Sequence, residues 1–84
     1  MKHLATPDFW YHYRQLPQDI QNLADRCYEI LKNDPQYPSL HFKKAGRFWS
    51  VRIGLHYRAL AVQNEDQIVW FWIGYHTDYD KFLS

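Results

Sequence analysis

The chain has 84 residues, ten Lys and Arg against nine Asp and Glu, and a single cysteine. That length makes one domain and excludes two. The lone Cys27 excludes an internal disulfide and leaves no second thiol for a structural zinc site. Nothing approaches the roughly 20 apolar residues that cross a bilayer. No apolar run of signal-peptide length opens the chain either, so a cytoplasmic protein with no membrane partner is expected.

Lys2 to Ala5 reads as a short edge strand. Thr6-Pro7-Asp8 is a helix start: Thr6 can cap, Pro7 suits the first helical position, and Asp8 complements the dipole. Phe9, Tyr13 and Leu16 recur at helical spacing and give a short first helix. Pro17 restarts the chain as the first residue of a second helix. Its apolar stripe is Ile20, Leu23, Ala24, Cys27, Ile30 and Leu31, and Asn33-Asp34-Pro35 ends it. The two helices form a hairpin.

After Pro38 the period changes. Leu40 and Phe42 alternate with His41 and Lys43, as in a half-buried strand, up to an Ala45-Gly46 turn. Trp49, Val51 and Ile53 then alternate with Phe48, Ser50 and Arg52. A second turn, Gly54-Leu55-His56, leads to strands over 57–63 and 67–73, joined by Asn64-Glu65-Asp66. The run Ile68-Val69-Trp70-Phe71-Trp72-Ile73 is apolar on both faces, so it should be a strand covered on both sides. The polar, acidic segment after Gly74 reads as a loop or one helical turn. These elements predict an α+β domain over residues 1–84: an N-terminal helical hairpin packed on a twisted antiparallel sheet of about four strands.

Charge is segregated. Residues 35–64 contain no Asp or Glu but hold Lys43, Lys44, Arg47, Arg52 and Arg58, with His41 and His56. Five Lys and Arg therefore face all nine acids elsewhere. Distribution of charge, more than its total, decides whether a polyanion can dock. Clustered cations without an acid repel one another unless an anion or solvent screens them, which points to phosphate binding; the other reading is a solvated face with lysine edge protection. Gly74-Tyr75-His76-Thr77-Asp78-Tyr79 follows the most buried strand. There His76 can give or take a proton, Asp78 can orient it, and Tyr79 can stack on a base or hydrogen-bond a phosphate. His41 and His56 are further acid/base candidates. Trp49 is a stacking candidate whose alternation with Val51 and Ile53 places it in the core. Cys27, on the apolar stripe, reads as inert core. No His or Cys cluster has metal-ligand spacing, and no cofactor is called for: Gly46, Gly54 and Gly74 are isolated and form no phosphate loop.

Several of these segments together resemble the RelE/ParE superfamily of toxins from type II toxin–antitoxin systems, over nearly the whole chain. The resemblance is carried by Leu16-Pro17 in the hairpin, Asp34-Pro35 leading to Pro38-Ser39-Leu40, and Phe48-Trp49-Ser50-Val51-Arg52-Ile53-Gly54 before Tyr57-Arg58-Ala59-Leu60. It ends on Trp70-Phe71-Trp72-Ile73-Gly74-Tyr75-His76 before Asp78-Tyr79. This ending is similar to the branch called RelE-like or plasmid-stabilisation proteins. RelE-like members are mRNA endoribonucleases (mRNA interferases) that cut in the ribosomal decoding site; ParE-like members poison DNA gyrase without being enzymes. In both branches a cognate antitoxin wraps the toxin. The resemblance implies a RelE-like fold and, as the favoured activity, a metal-independent RNA-binding endoribonuclease, with or without the ribosome. A ParE-type gyrase inhibitor and a degenerate toxin kept only to bind its antitoxin are the alternatives. It further implies that Arg58 stabilises the phosphorane, that His76 and Tyr79 act at the same centre, and that Arg52, Lys43 and Lys44 contact RNA phosphates; the basic stretch itself adds Arg47 and His41 to the expected phosphate contacts.

Overall fold

The computed structural model describes residues 2–83. A short strand β1 (Lys2–Ala5) leads into α1 (Pro7–Arg14) and α2 (Gln18–Asn33), followed by a 3-10 turn at Pro38–Leu40. Four strands then follow, β2 (Lys43–Ala45), β3 (Phe48–Ile53), β4 (Tyr57–Asn64) and β5 (Gln67–Tyr75), and α3 (His76–Leu83) closes the chain. The sheet order is β1-β5-β4-β3-β2. Strands β2 to β5 form the expected antiparallel meander, and β1 adds a fifth strand parallel to β5. The weakly patterned Lys2–Ala5 segment is thus a true strand, and it makes the sheet mixed.

Local chemistry explains the element boundaries. Thr6 caps α1, its Oγ1 accepting from the Phe9 N–H at 3.1 Å. Pro17 sits one residue ahead of α2, its carbonyl accepting from the N–H groups of Ile20 and Gln21. The hairpin link is short, and Tyr13 Oη donates to Asp25 Oδ1 at 2.8 Å to tie the helices. Two boundaries differ from the expected ones. The alternation at 40–43 does not make a strand there: His41 takes a left-handed conformation (φ 47°) after the 3-10 turn, and β2 begins only at Lys43. The segment after Gly74 is a two-turn helix, because Tyr79 and Phe82, three apart, turn one side of it toward the sheet; Phe82 meets Trp72 at 5.1 Å between ring centroids.

The sheet is covered on both faces. On the front, Leu16, Ala24, Cys27 and Leu31 pack on Val51, Ile53, Ala59, Ala61, Ile68, Trp70 and Ile73. On the back, Leu60 and Trp72 are buried and α3 lies across β4 and β5. A bulge makes this double coverage possible. In β5, Trp70 pairs with Ala61 but Trp72 pairs with Leu60, so Phe71 is an extra residue. Without it, Trp70 and Trp72 would share a face, because side chains alternate. With it, Trp70 enters the front core while Trp72 and Gly74 turn to the back.

A candidate phosphate-binding site on the back of the sheet

The bulge decides what gathers on the back. Across β2, β3, β4 and β5 one row reads Lys43–Ser50–Leu60–Trp72, and the next reads Arg52–Arg58–Gly74. Two arginines therefore face each other directly across a ladder, both half-buried. Like charges placed this way cost stability. Each guanidinium spends a donor on backbone: Arg52 Nε on Gly54 O at 2.9 Å, and Arg58 Nη1 on Tyr57 O at 2.8 Å. Among the described residues neither meets a carboxylate; the ion pairs are Lys32–Glu29 and Lys81–Asp78. The backbone bonds hold the forks in place and leave other donors open to an anion.

Gly54 is required by the turn that aims Arg52. Its φ is +64°, and a Cβ there would stand 2.8 Å from Leu23 Cδ2 on α2. Gly74 has a different purpose. A Cβ at that position would lie 2.5 Å from Trp72 Cζ2, so the indole rests against the glycine backbone beside the arginine row. Above the row, the Tyr79 ring of α3 stands 6.0 Å from the Arg58 guanidinium carbon. This is cation–π range and gives the site a half-buried aromatic wall.

The ladder of β4 and β5 runs one pair further. Tyr57 pairs with Tyr75, and next the His76 N–H donates to His56 O at 2.7 Å. The two imidazoles stand 6.0 Å apart, and His56 stacks on Tyr75 at 5.8 Å and 16°. Asp78, the expected orienter of His76, instead accepts from Lys81 Nζ at 3.3 Å.

The sequence-derived candidates therefore divide. Arg52, Arg58 and Tyr79 come together on the back face, with Lys43 one row away; His76 opens α3 just beyond the Tyr57–Tyr75 pair at the same end of the sheet, its ring against Tyr75 and His56. Lys44 pairs with Trp49 and so projects to the opposite face. Arg47 lies in the β2–β3 turn with its guanidinium 6.0 Å over the Phe48 ring, and His41 is exposed after the 3-10 turn. Trp49 lies on the front, stacked on Phe42 at 4.8 Å and donating to Gln63 Oε1 at 3.0 Å, away from the arginines. Twenty positions separate His56 from His76, so spacing in the sequence carries no signal that the two meet.

A concavity of about 320 Å³ opens on the front between α1, α2 and the sheet. Its wall includes Leu31, Cys27, Val51, Ile73 and Trp70, and no Lys or Arg. A cavity without Lys or Arg offers little to neutralise a phosphate, whereas the back face carries the two arginines.

Residues 18–81 match the family model of the ParE-like toxin domain. The chain belongs to the ParE-like toxin family. This places it in the RelE/ParE superfamily of toxins. Among solved structures it resembles the RelB–RelE antitoxin–toxin complex from Methanococcus jannaschii, at 18% identity and a TM-score of 0.74 over 96% of this chain and 99% of that one. It also resembles a RelBE toxin–antitoxin complex from Mycobacterium tuberculosis (16%, TM-score 0.66, 88% and 95% covered). The archaeal RelE–RelB complex from Pyrococcus horikoshii is similar as well (17%, TM-score 0.63, 88% and 92% covered). No curated protein matches the chain. At these identities the structures show that this ParE-like toxin has the RelE fold. Among the described residues no helix is long and apolar enough to cross a membrane.

Proposed function

We propose that this ParE-like toxin is the toxin of a toxin–antitoxin pair and acts as an mRNA endoribonuclease that needs no metal. The observation that carries the reading is the Arg52–Arg58 pair: two opposed, half-buried guanidiniums without a carboxylate, walled by Tyr79. An anion or solvent must screen such a pair, and an RNA phosphate would supply the anion. In the reaction, the 2′-hydroxyl attacks the adjacent phosphorus in line, and the arginines stabilise the negative charge that develops on the phosphoryl oxygens. His76 moves a proton, a step worth on the order of 10²–10⁴-fold. Tyr79 stacks on a base or hydrogen-bonds the phosphate, and Lys43 extends the cationic track along the backbone.

The partner is a cognate antitoxin, as the RelE toxins of the resembled structures are paired with RelB. An acidic or amphipathic segment over the back face would quench the arginines. Inducing the toxin in bacteria and mapping mRNA ends tests the reading: new cuts that vanish in Arg58→Ala support it, and identical cuts in a folded Arg58→Ala protein contradict it.

One observation favours a second reading, since the matching family model is the ParE-like one. A gyrase inhibitor works by protein–protein contact and needs no proton transfer. It would arrest growth with mRNA intact, inhibit supercoiling, and stay toxic as His76→Ala. A toxin retained only to bind its antitoxin would cause no arrest.

A further inference from the structure

We infer that His56 is a second catalytic residue, working with His76 as an acid–base pair on one phosphodiester. The inference rests on the nuclease reading and adds to it the other half of the proton chemistry. In-line cleavage by a 2′-hydroxyl needs two proton transfers, one away from the attacking oxygen and one to the leaving oxygen. A single histidine serves both only by moving across the phosphate. The geometry supplies two. The His76 N–H bond to His56 O, 2.7 Å long, pins the two backbones together just beyond the Tyr57–Tyr75 pair. The rings are 6.0 Å apart and inclined by only 30°. Rings this close can both reach one phosphodiester lying across their outer edges, each making one hydrogen bond of about 2.6–3.2 Å.

The neighbourhood suits that task. Arg58 lies two residues after His56 on β4, and Tyr79 one helical turn after His76 on α3. Those two side chains already meet at 6.0 Å. Arg52 faces Arg58 across the ladder. His56 is exposed, as a group that meets a polymeric substrate must be, and its ring is steadied by stacking on Tyr75.

The balance of the step is simple. One imidazole, neutral, takes the 2′-hydroxyl proton as O2′ bonds to phosphorus. The other, protonated, gives its proton to O5′ as the P–O5′ bond breaks. The products are a 2′,3′-cyclic phosphate and a 5′-hydroxyl, and the two rings have exchanged protonation states, which solvent restores.

The test compares wild type, His56→Ala, His56→Gln and His76→Ala on an mRNA oligonucleotide, free and on ribosomes programmed with it, after circular dichroism shows each variant folded. A parallel substrate carries sulfur in place of O5′ at the cleaved bond; a thiolate leaves without being protonated. Each variant should cleave the oxygen substrate on the order of 10²–10⁴-fold more slowly. The sulfur substrate should restore near wild-type rate to one of the two histidine sites and not the other. His56→Gln, which can hydrogen-bond but not shuttle a proton, should behave as His56→Ala. Wild-type rates in both His56 variants would overturn the pairing while leaving the nuclease reading intact. Loss at both sites with neither rescued by sulfur would reduce His56 to a positioning role and also overturn it. A wild-type protein that cuts neither form of the RNA would overturn the nuclease reading itself, and the pairing with it.

Discussion

Gly74→Ala tests the architecture of the back face directly. The added methyl would stand 2.5 Å from Cζ2 of Trp72 and 3.1 Å from Cε2 and Cη2. Trp72 is only 6% exposed, with Phe82 at 5.1 Å and His12 at 6.3 Å around its ring, so the indole has little room to retreat. Overpacking of this kind costs about 1–3 kcal/mol, and losing a glycine returns roughly 0.4–1 kcal/mol through the unfolded state. The net expectation is a loss of about 1–2 kcal/mol, or a melting point lower by about 4–16 °C for a domain this small. Urea unfolding followed by tryptophan fluorescence measures it, with the midpoint moving and the slope constant. Repeating the substitution on a Trp72→Phe background should recover part of the loss, with a coupling of about 0.5–3 kcal/mol. A Gly74→Ala protein as stable as wild type would refute the packing of indole on glycine beside Arg58.

Further expectations follow from other parts of the fold. Arg52→Gln removes half of the opposed cationic pair and should stabilise the apo protein by about 0.2–1 kcal/mol in chemical unfolding, while weakening RNA cleavage. Inorganic phosphate should raise the melting point of wild type and leave an Arg52→Gln/Arg58→Gln protein unmoved, since a ligand stabilises the state that binds it. Burial holds the His3 imidazole below its ordinary value of 6.5, and Trp70 Nε1 donates to its Nδ1 at 3.1 Å. The folded state thus favours neutral His3. Its contribution is full above pH 6.5 and is lost as pH falls through the lowered folded value, so His3→Gln should flatten that part of a stability–pH curve. Burial pushes the Cys27 thiol above its ordinary 9.0, so a thiol reagent at neutral pH should modify Cys27 only as fast as the domain opens.

Much of the fold was legible because single residue types carry strong local signals. Thr6-Pro7 marked the start of α1, the stripe from Ile20 to Leu31 marked α2, and the all-apolar run at 68–73 announced a strand covered on both sides. What escaped depended on distant geometry. The start of α3 has no strong cap, and its acidic surface hides a face formed by Tyr79 and Phe82. The strand alternation at 40–43 was broken by a left-handed His41 that no pattern announces. The Phe71 bulge is invisible to periodicity, yet it is what turns Trp72 and Gly74 toward the arginines. The site shows the same division. The acid-free stretch made Arg52 and Arg58 visible, and the sequence Gly54-Leu55-His56 set them on either side of one turn. That Lys43 and Lys44 point to opposite faces follows from β2 register alone. The closeness of His56 to His76 exists only once β4 and β5 are paired.

If the opposed arginines form an RNA phosphate site, cleavage by purified protein, wild type against Arg58→Ala, reports on it without intermediaries. Both would be presented with mRNA on programmed ribosomes and free, after unfolding curves show that the two are equally folded. Wild type should cut and Arg58→Ala should not, at matched stability. Equal cutting by both proteins, or intact RNA with wild type beside inhibited gyrase supercoiling, would contradict it.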